Sequence, residues 1–384
     1  MSADTKKERL LALDVLRGLT LTCMVLVNTP GDPKHTYTVL KHVSWHGWAL
    51  ADLVFPFFLF IVGVAIPYSI ESRLAKGDSH RRIVWNALRR GIALFAIGLT
   101  MNWYAQIDFA NWNTALDFSR LRFFNVLQRI GICYFFGTLM YLWCRPRAHF
   151  IVGVSILILY YVLMTFVPVP GHGAGVLERV GNWAQFIDHH VMGAHCGSHY
   201  KGFFYEGKGL LTTLPAFVTL LMGIWTGRLF RQPEAVSNRL VKLYFCGTLA
   251  MLFGACWNLT FPINQNLWTS SLVLFMGGMA MIALASCCYV ADVRKTTWWT
   301  TWFVVFGVNS IAVWVGSVVL RQTLDKIRFD GGAGKLVSLK TFLFNGLADW
   351  LGSYNGSLAF AVLYVLFWWA IMRGLCRRKI FFKV

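Results

Sequence analysis

Charged residues are scarce in this chain, and acidic ones are the scarcer kind. Asp and Glu number 17 against 36 Lys and Arg, and together they make up only 14% of 384 residues, while 57% are apolar. No soluble fold needs that much apolar side chain spread along its whole length, so a water-soluble domain is excluded. Three further absences narrow the reading. The first ten residues, MSADTKKERL, carry charge but no cleavage site, so the first apolar run is expected to stay in the protein. Cys196 is the only one of nine cysteines placed in an outer loop, so it has no disulfide partner there. Nothing in the chain repeats in the inverted manner of many transporters.

What the chain does have is runs of about 20 apolar residues, the length that crosses a bilayer as helix. Ten spans are predicted, over 11–28, 47–69, 83–104, 121–143, 149–167, 209–230, 241–258, 268–290, 299–320 and 356–373. This is an all-α, polytopic membrane protein in the lipid bilayer. With both termini in the cytoplasm, 23 of the 36 Lys and Arg fall on that side, as the positive-inside rule requires. The net charge of +19 therefore sets topology and implies no nucleic acid. One transmembrane domain over 1–384 is expected, with an outer cap at about 168–208 and an outer segment at 321–355. The latter holds an apolar run at Leu343–Leu351 suited to the interface. The missing leader and the lack of a long lumenal addition point to a bacterial inner membrane.

Chemistry is expected at Lys41–Gly63, KHVSWHGWALADLVFPFFLFIVG. His42 and His46 stand beside Trp45 and Trp48, and Asp52 lies inside the first two turns of the apolar run. An acid at that depth faces a polar cavity or a partner, and imidazole is the side chain best suited to move protons near neutral pH. In the first span, Asp14 and Arg17 are three residues apart and can neutralise each other. In the fourth, Arg129 is expected roughly 12 Å below the outer interface, in a polar stripe with Asn125 and Gln128, and with Asp52 as its partner. The basic run before the third span, continued by Arg89 and Arg90, either fixes orientation or cradles phosphates. Pro215 predicts a kink in the sixth span. Asn258, Asn264 and an exposed Trp268 form an outer turn that suits either sugar hydroxyls or an ordinary capped turn, and mid-membrane Asn309 is read as glue between helices. Gly277 and Gly278 would suit a helix contact in a homodimer. The histidines and Cys196 of the 189–199 stretch fit no tight four-ligand pattern, so no metal is expected.

The pieces LDVLRG (13–18), VN (27–28), HVSWHGWALADLVFPFFLFIVG (42–63), NVLQRIG (125–131), GLLTTLPA (209–216) and PINQNLWTSS (262–271) resemble the membrane acetyltransferases related to heparan-α-glucosaminide N-acetyltransferase and their bacterial relatives. The resemblance implies transfer of an acetyl group from cytoplasmic acetyl-CoA to an amino sugar on the outer side. It places the family's essential histidine on His42, with Asn28 and Asp52 beside it. Acetyl-CoA is then expected on Arg129, Arg90, Arg89 and Gln128, and the acceptor on His46, Trp45, Asn264, Trp268 and Asn258. Direct transfer with His42 as base and a two-step route through an acetylated His42 both remain open. Two departures fall where the acceptor should bind: Glu206-Gly207-Lys208 replaces Asp-Pro-Glu, and Gln265 replaces a lysine. The alternative reading is a membrane transporter for N-acetylglucosamine or a related sugar, and a membrane scaffold is the weakest.

Overall fold

The computed structural model describes residues 11–107, 117–330 and 336–382. The charged segment MSADTKKERL and residues 331–335 of the expected outer segment lie outside the described residues. The first five helices are α1 (Leu11–Asn28), α2 (Leu50–Leu74), α3 (His80–Gln106), α4 (Val126–Trp143) and α5 (Pro146–Phe166). A short helix α6 (Trp183–Met192) and an antiparallel hairpin, β1 (Ser198–Tyr200) with β2 (Phe203–Tyr205), follow. Next come α7 (Thr213–Phe230), α8 (Val236–Trp257) and α9 (Ser270–Cys288), then α10 (Thr300–Val308) and α11 (Ser310–Lys326). A second hairpin, β3 (Arg328–Asp330) with β4 (Leu336–Ser338), leads to α12 (Leu339–Leu351) and α13 (Ser353–Arg377).

Among the described residues nine helices are long and apolar enough to cross a membrane, and ten crossings result if α10 and α11 count as one. This is the polytopic all-helical architecture that the hydrophobic runs predicted. With ten crossings the start of α1 and the end of α13 share one end of the bundle, the basal end; α6 and the first hairpin lie at the other, the cap end. The ninth predicted span is not straight: α10 and α11 meet at 80°. Asn309 makes the break, leaving the helical region and using its side chain to donate to the Ile380 carbonyl (3.2 Å) and to accept from the Phe382 N–H (3.0 Å).

Lipid supplies no hydrophobic drive between helices, so close approach of backbones does the packing. Gly63 of α2 lies against the Leu220 carbonyl of α7, and Gly223 against the Phe60 carbonyl, with no room for a Cβ at either. Gly18 and Gly307 bring α1 and α10 together in the same way. Gly277 and Gly278 are used inside the chain, against Met222 and the Gly247 backbone, rather than on an open face.

Two helix starts differ from expectation, for one physical reason. Apolar loop residues before α4 and α7 read as span, but polar groups end the helix there. Asn125 caps α4 by accepting from the Val126 N–H (2.7 Å), so Arg129 sits in the first turn of α4 instead of two turns deep. The start of α7 at Thr213 puts Pro215 in the first turn, where its missing N–H costs nothing and makes no kink. Along its length α12 leaves Phe342, Leu343 and Trp350 exposed, as an interfacial helix would.

Candidate functional site

Asp52 is the third residue of α2 and ends up with three donors. Its Oδ2 accepts from the Ala49 N–H (2.9 Å) and the Val43 N–H (3.3 Å), which caps the helix and closes the preceding loop on itself. Its Oδ1 accepts from His42 Nδ1–H at 2.7 Å. An ionised carboxylate only accepts, so this contact fixes the imidazole tautomer and leaves the lone pair on Nε2. Asp52 is buried, with 4% of its side chain exposed, while His42 is 45% exposed. The sequence places an oriented imidazole at a surface, with the carboxylate that orients it inside.

The loop carrying His42 is stitched to the turn between α8 and α9. Gly47 N–H donates to the Ile263 carbonyl (2.7 Å), and Gln265 donates to the Asp52 carbonyl (3.1 Å). Asn264 accepts from the Leu267 N–H and meets His46 Nδ1 at 3.4 Å; Asn258 accepts from the Ile263 N–H at 2.7 Å. These amides close the turn. Trp45 is buried too, donating its indole N–H to the Leu177 carbonyl (2.8 Å). Trp268 corrects its expected exposure: it is fully buried, at φ +51°, donating to Thr219 (3.1 Å). His46 and Asn264 are brought beside the His42 loop; Asn258 and Trp268 serve the turn. Asn28, at the end of α1, donates to the Met24 carbonyl (2.8 Å).

Arg129 is fully buried and does not pair with Asp52, whose oxygens are already engaged. It donates to Thr212 and, at 3.4 Å, to the Gly209 carbonyl, with its guanidinium over the Trp268 (5.0 Å) and Phe55 (5.9 Å) rings. Its Nε and Nη1 meet no acceptor among the described residues, and neither do the amide atoms of Gln128, which packs on Gly98.

A cavity of about 420 Å³ opens between α1, α2, α3, α4 and the α10–α11 break. Arg17, Arg73 and Arg90 stand at its basal end, and Phe58, Val62, Ala65 and Ser69 form one wall. From Phe58 to Arg73 this wall runs about 22 Å along α2. The outermost wall residues are Met24, Phe58 and Val126, and His42 is not among them. Of the residues expected to hold acetyl-CoA, Arg90 lines the cavity, its guanidinium over Tyr134 (4.8 Å); Arg89 is exposed elsewhere on α3, and Gln128 and Arg129 lie outside the wall. Arg73 was read only as part of the basic run before the third span and not singled out, although the 58–62–65–69–73 spacing marks one helix face. Arg17 was read only as the partner of Asp14, a contact that does form at 3.2 Å.

The cap packs over Arg129. Glu206 binds Arg122 through two hydrogen bonds (2.7 and 2.5 Å), and Asp188 accepts from the Leu210 N–H (3.0 Å) while its Oδ2 has no partner among the described residues. Burial pushes the Asp188 carboxyl up to about 7, against the opposing pull of the Leu210 N–H. A carboxyl raised on folding stabilises the fold below its ordinary value and loses that contribution as pH climbs through about 7. Cap docking should therefore weaken between about pH 4 and pH 7, by at most about 1.4 kcal/mol per pH unit, and level off above that. Asp188→Asn should flatten that slope in hydrogen exchange of residues 183–212; an unchanged slope would assign the titration to another group. The histidines of this stretch bind backbone: His195 to the Leu121 carbonyl (2.8 Å), His190 to Phe186 (2.8 Å), and His189 to the Phe204 N–H (3.3 Å).

Comparison with known proteins completes the picture. A model of the family described as heparan-alpha-glucosaminide N-acetyltransferase, catalytic, matches residues 9–254. The heparan-alpha-glucosaminide N-acetyltransferase of Mus musculus is 28% identical over an alignment of 382 residues, covering 84% of this chain and 56% of the mouse protein. That of Homo sapiens is 29% identical over 365 residues, covering 82% and 53%. The chain thus spans about half the length of the curated relatives it matches.

Proposed function

The chain belongs to the heparan-alpha-glucosaminide N-acetyltransferase catalytic family, and on that premise we propose that it is a membrane N-acetyltransferase moving the acetyl group of acetyl-CoA to an amine. The observation that carries the reading is the cavity with three arginines at its basal mouth and apolar walls above them. Phosphates bind arginine forks through charge-assisted hydrogen bonds, and a thioester-bearing arm suits an apolar shaft. In this proposal the basal end is cytoplasmic, the nucleotide rests near Arg17, Arg73 and Arg90, and the acetyl end points toward Met24 and Val126. The acceptor, an amino sugar or related amine, comes from the cap end. The membrane proposed is a bacterial inner membrane.

The chemistry follows from the His42–Asp52 pair. The acceptor nitrogen attacks the thioester carbonyl while His42 Nε2 takes its proton, and Asp52 stabilises the imidazolium across the 2.7 Å contact. The C–S bond then breaks, and His42 returns the proton to the departing thiolate. The products are the N-acetyl amine and free CoA. Asn28, one turn beyond the cavity wall at Met24, is the proposed side-chain donor to the tetrahedral oxyanion. The relatives' names describe transferases, which favours this reading over a sugar transporter.

Arg73→Gln and Arg90→Gln should each weaken acetyl-CoA binding about tenfold by calorimetry, since a hydrogen bond to a charged group is worth about 1.5–3 kcal/mol. Full affinity in the folded double variant would move the nucleotide to another surface.

A further inference from the structure

Segment 206–212 brings to the cap end a cation that the proposed mechanism does not use. Glu206 is already saturated, binding Arg122 twice and accepting from the Gly197 (2.8 Å) and Lys208 (3.0 Å) N–H groups. The half-buried Lys208 ammonium has no carboxylate within ion-pair distance among the described residues. Of the other acids nearby, Asp52 holds His42 and two backbone N–H groups, while Asp188 is turned inward, with one oxygen on the Leu210 N–H, and forms no ion pair with Lys208. Arg129, beneath the same segment, likewise lacks a carboxylate partner.

Position ties Lys208 to the base. The adjoining Gly207 packs on the Asn266 side chain, and the neighbouring Gln265 holds the Asp52 carbonyl at 3.1 Å. Lys208 therefore stands over the turn that supports the His42–Asp52 pair. Burial, with the Arg122 charge, pulls its ammonium down to about 8; Glu206 and Asp52 oppose that pull and Arg129 adds to it. It stays mostly charged at neutral pH, and a half-buried cation without a counter-ion favours an incoming anion.

We propose that the acceptor carries an acidic group, a carboxylate or a phosphate, beside its reacting amine, and that Lys208 is the residue that binds it. This rests on the acyl-transfer reading above. The arrangement serves the reaction twice. The anion is held by the uncompensated cation, and the positive surroundings disfavour the protonated form of the acceptor amine, which must be neutral to attack.

The test measures labelled acetyl transfer from acetyl-CoA by the full chain in detergent. Three acceptors are compared: glucosamine, glucosamine 6-phosphate and muramic acid, which carries a carboxylate. The wild-type protein should favour at least one acidic acceptor over glucosamine by about tenfold in kcat/KM, with the difference in KM, and the better of the two acids names the group. Lys208→Gln should erase the preference and Lys208→Glu should reverse it. Acetyl-CoA binding by calorimetry certifies that each variant is folded; if Lys208→Glu fails that check, Lys208→Gln and Lys208→Met decide. A wild-type protein indifferent to acceptor charge, or a preference that survives in the variants, overturns the inference and leaves acyl transfer standing. Acetyl-CoA binding with no transfer to any of the three amines counts against the acyl-transfer reading and takes this inference down with it.

Discussion

His42→Ala should abolish acetyl transfer, lowering kcat by about a thousandfold or more, while acetyl-CoA binding stays within about twofold of wild type. The size follows from the geometry. Among the described residues His42 presents the one imidazole held by a buried carboxylate at this end, and its Nε2 lone pair faces an accessible surface. Removing it leaves the acceptor proton to water. The fold should tolerate the change, because His42 is largely exposed and Asp52 keeps both backbone N–H donors that cap α2. Donor affinity should persist because His42 takes no part in the cavity wall. Single-turnover kinetics measures the effect and separates the two routes: an acetylated enzyme forming before acceptor is added would replace direct transfer with the two-step path. Wild-type turnover in the variant would remove His42 from the mechanism.

Ala65→Trp should have the second largest effect, cutting acetyl-CoA affinity about a hundredfold or more. Ala65 lies midway along the α2 wall, and an indole there would project into a cavity of only about 420 Å³. The side chain enters existing space, so thermal unfolding should change little, and calorimetry should report lost binding in a folded protein. The His42–Asp52 contact, more than three turns away on α2, should be untouched. Unchanged affinity would show that the donor arm takes another path through the bundle.

The bundle was legible because hydrophobic runs of spanning length carry their own meaning in lipid. All ten predicted spans correspond to helices, counting α10 with α11. Helix ends were less legible. Residues 121–124 and 209–212 are partly apolar because they lie under the cap, and only the bond from Asn125 to the Val126 N–H reveals where α4 begins. The His42–Asp52 pairing was readable, since ten residues of loop and a first helical turn can bring the two together. The Arg129–Asp52 pairing was a reasonable inference from two buried charges of opposite sign. It fails because backbone donors and His42 occupy the acid, while aromatic faces and Thr212 hold the arginine. Nor does a list of residues tell which way a turn folds. Trp268 looked exposed among amides, yet Asn264 closes the turn so that the indole points inward. Lys208 had no periodic signal at all, and its meaning came from finding Glu206 already taken by Arg122.

The most direct measurement uses proteoliposomes with labelled acetyl-CoA sealed on one side and an amine acceptor on the other. The account predicts that labelled N-acetyl product accumulates on the acceptor side, that it requires acetyl-CoA at the basal end, and that His42→Ala stops it. Sugar counterflow that proceeds without acetyl-CoA, with no labelled product formed, would contradict the account and make the bundle a transporter.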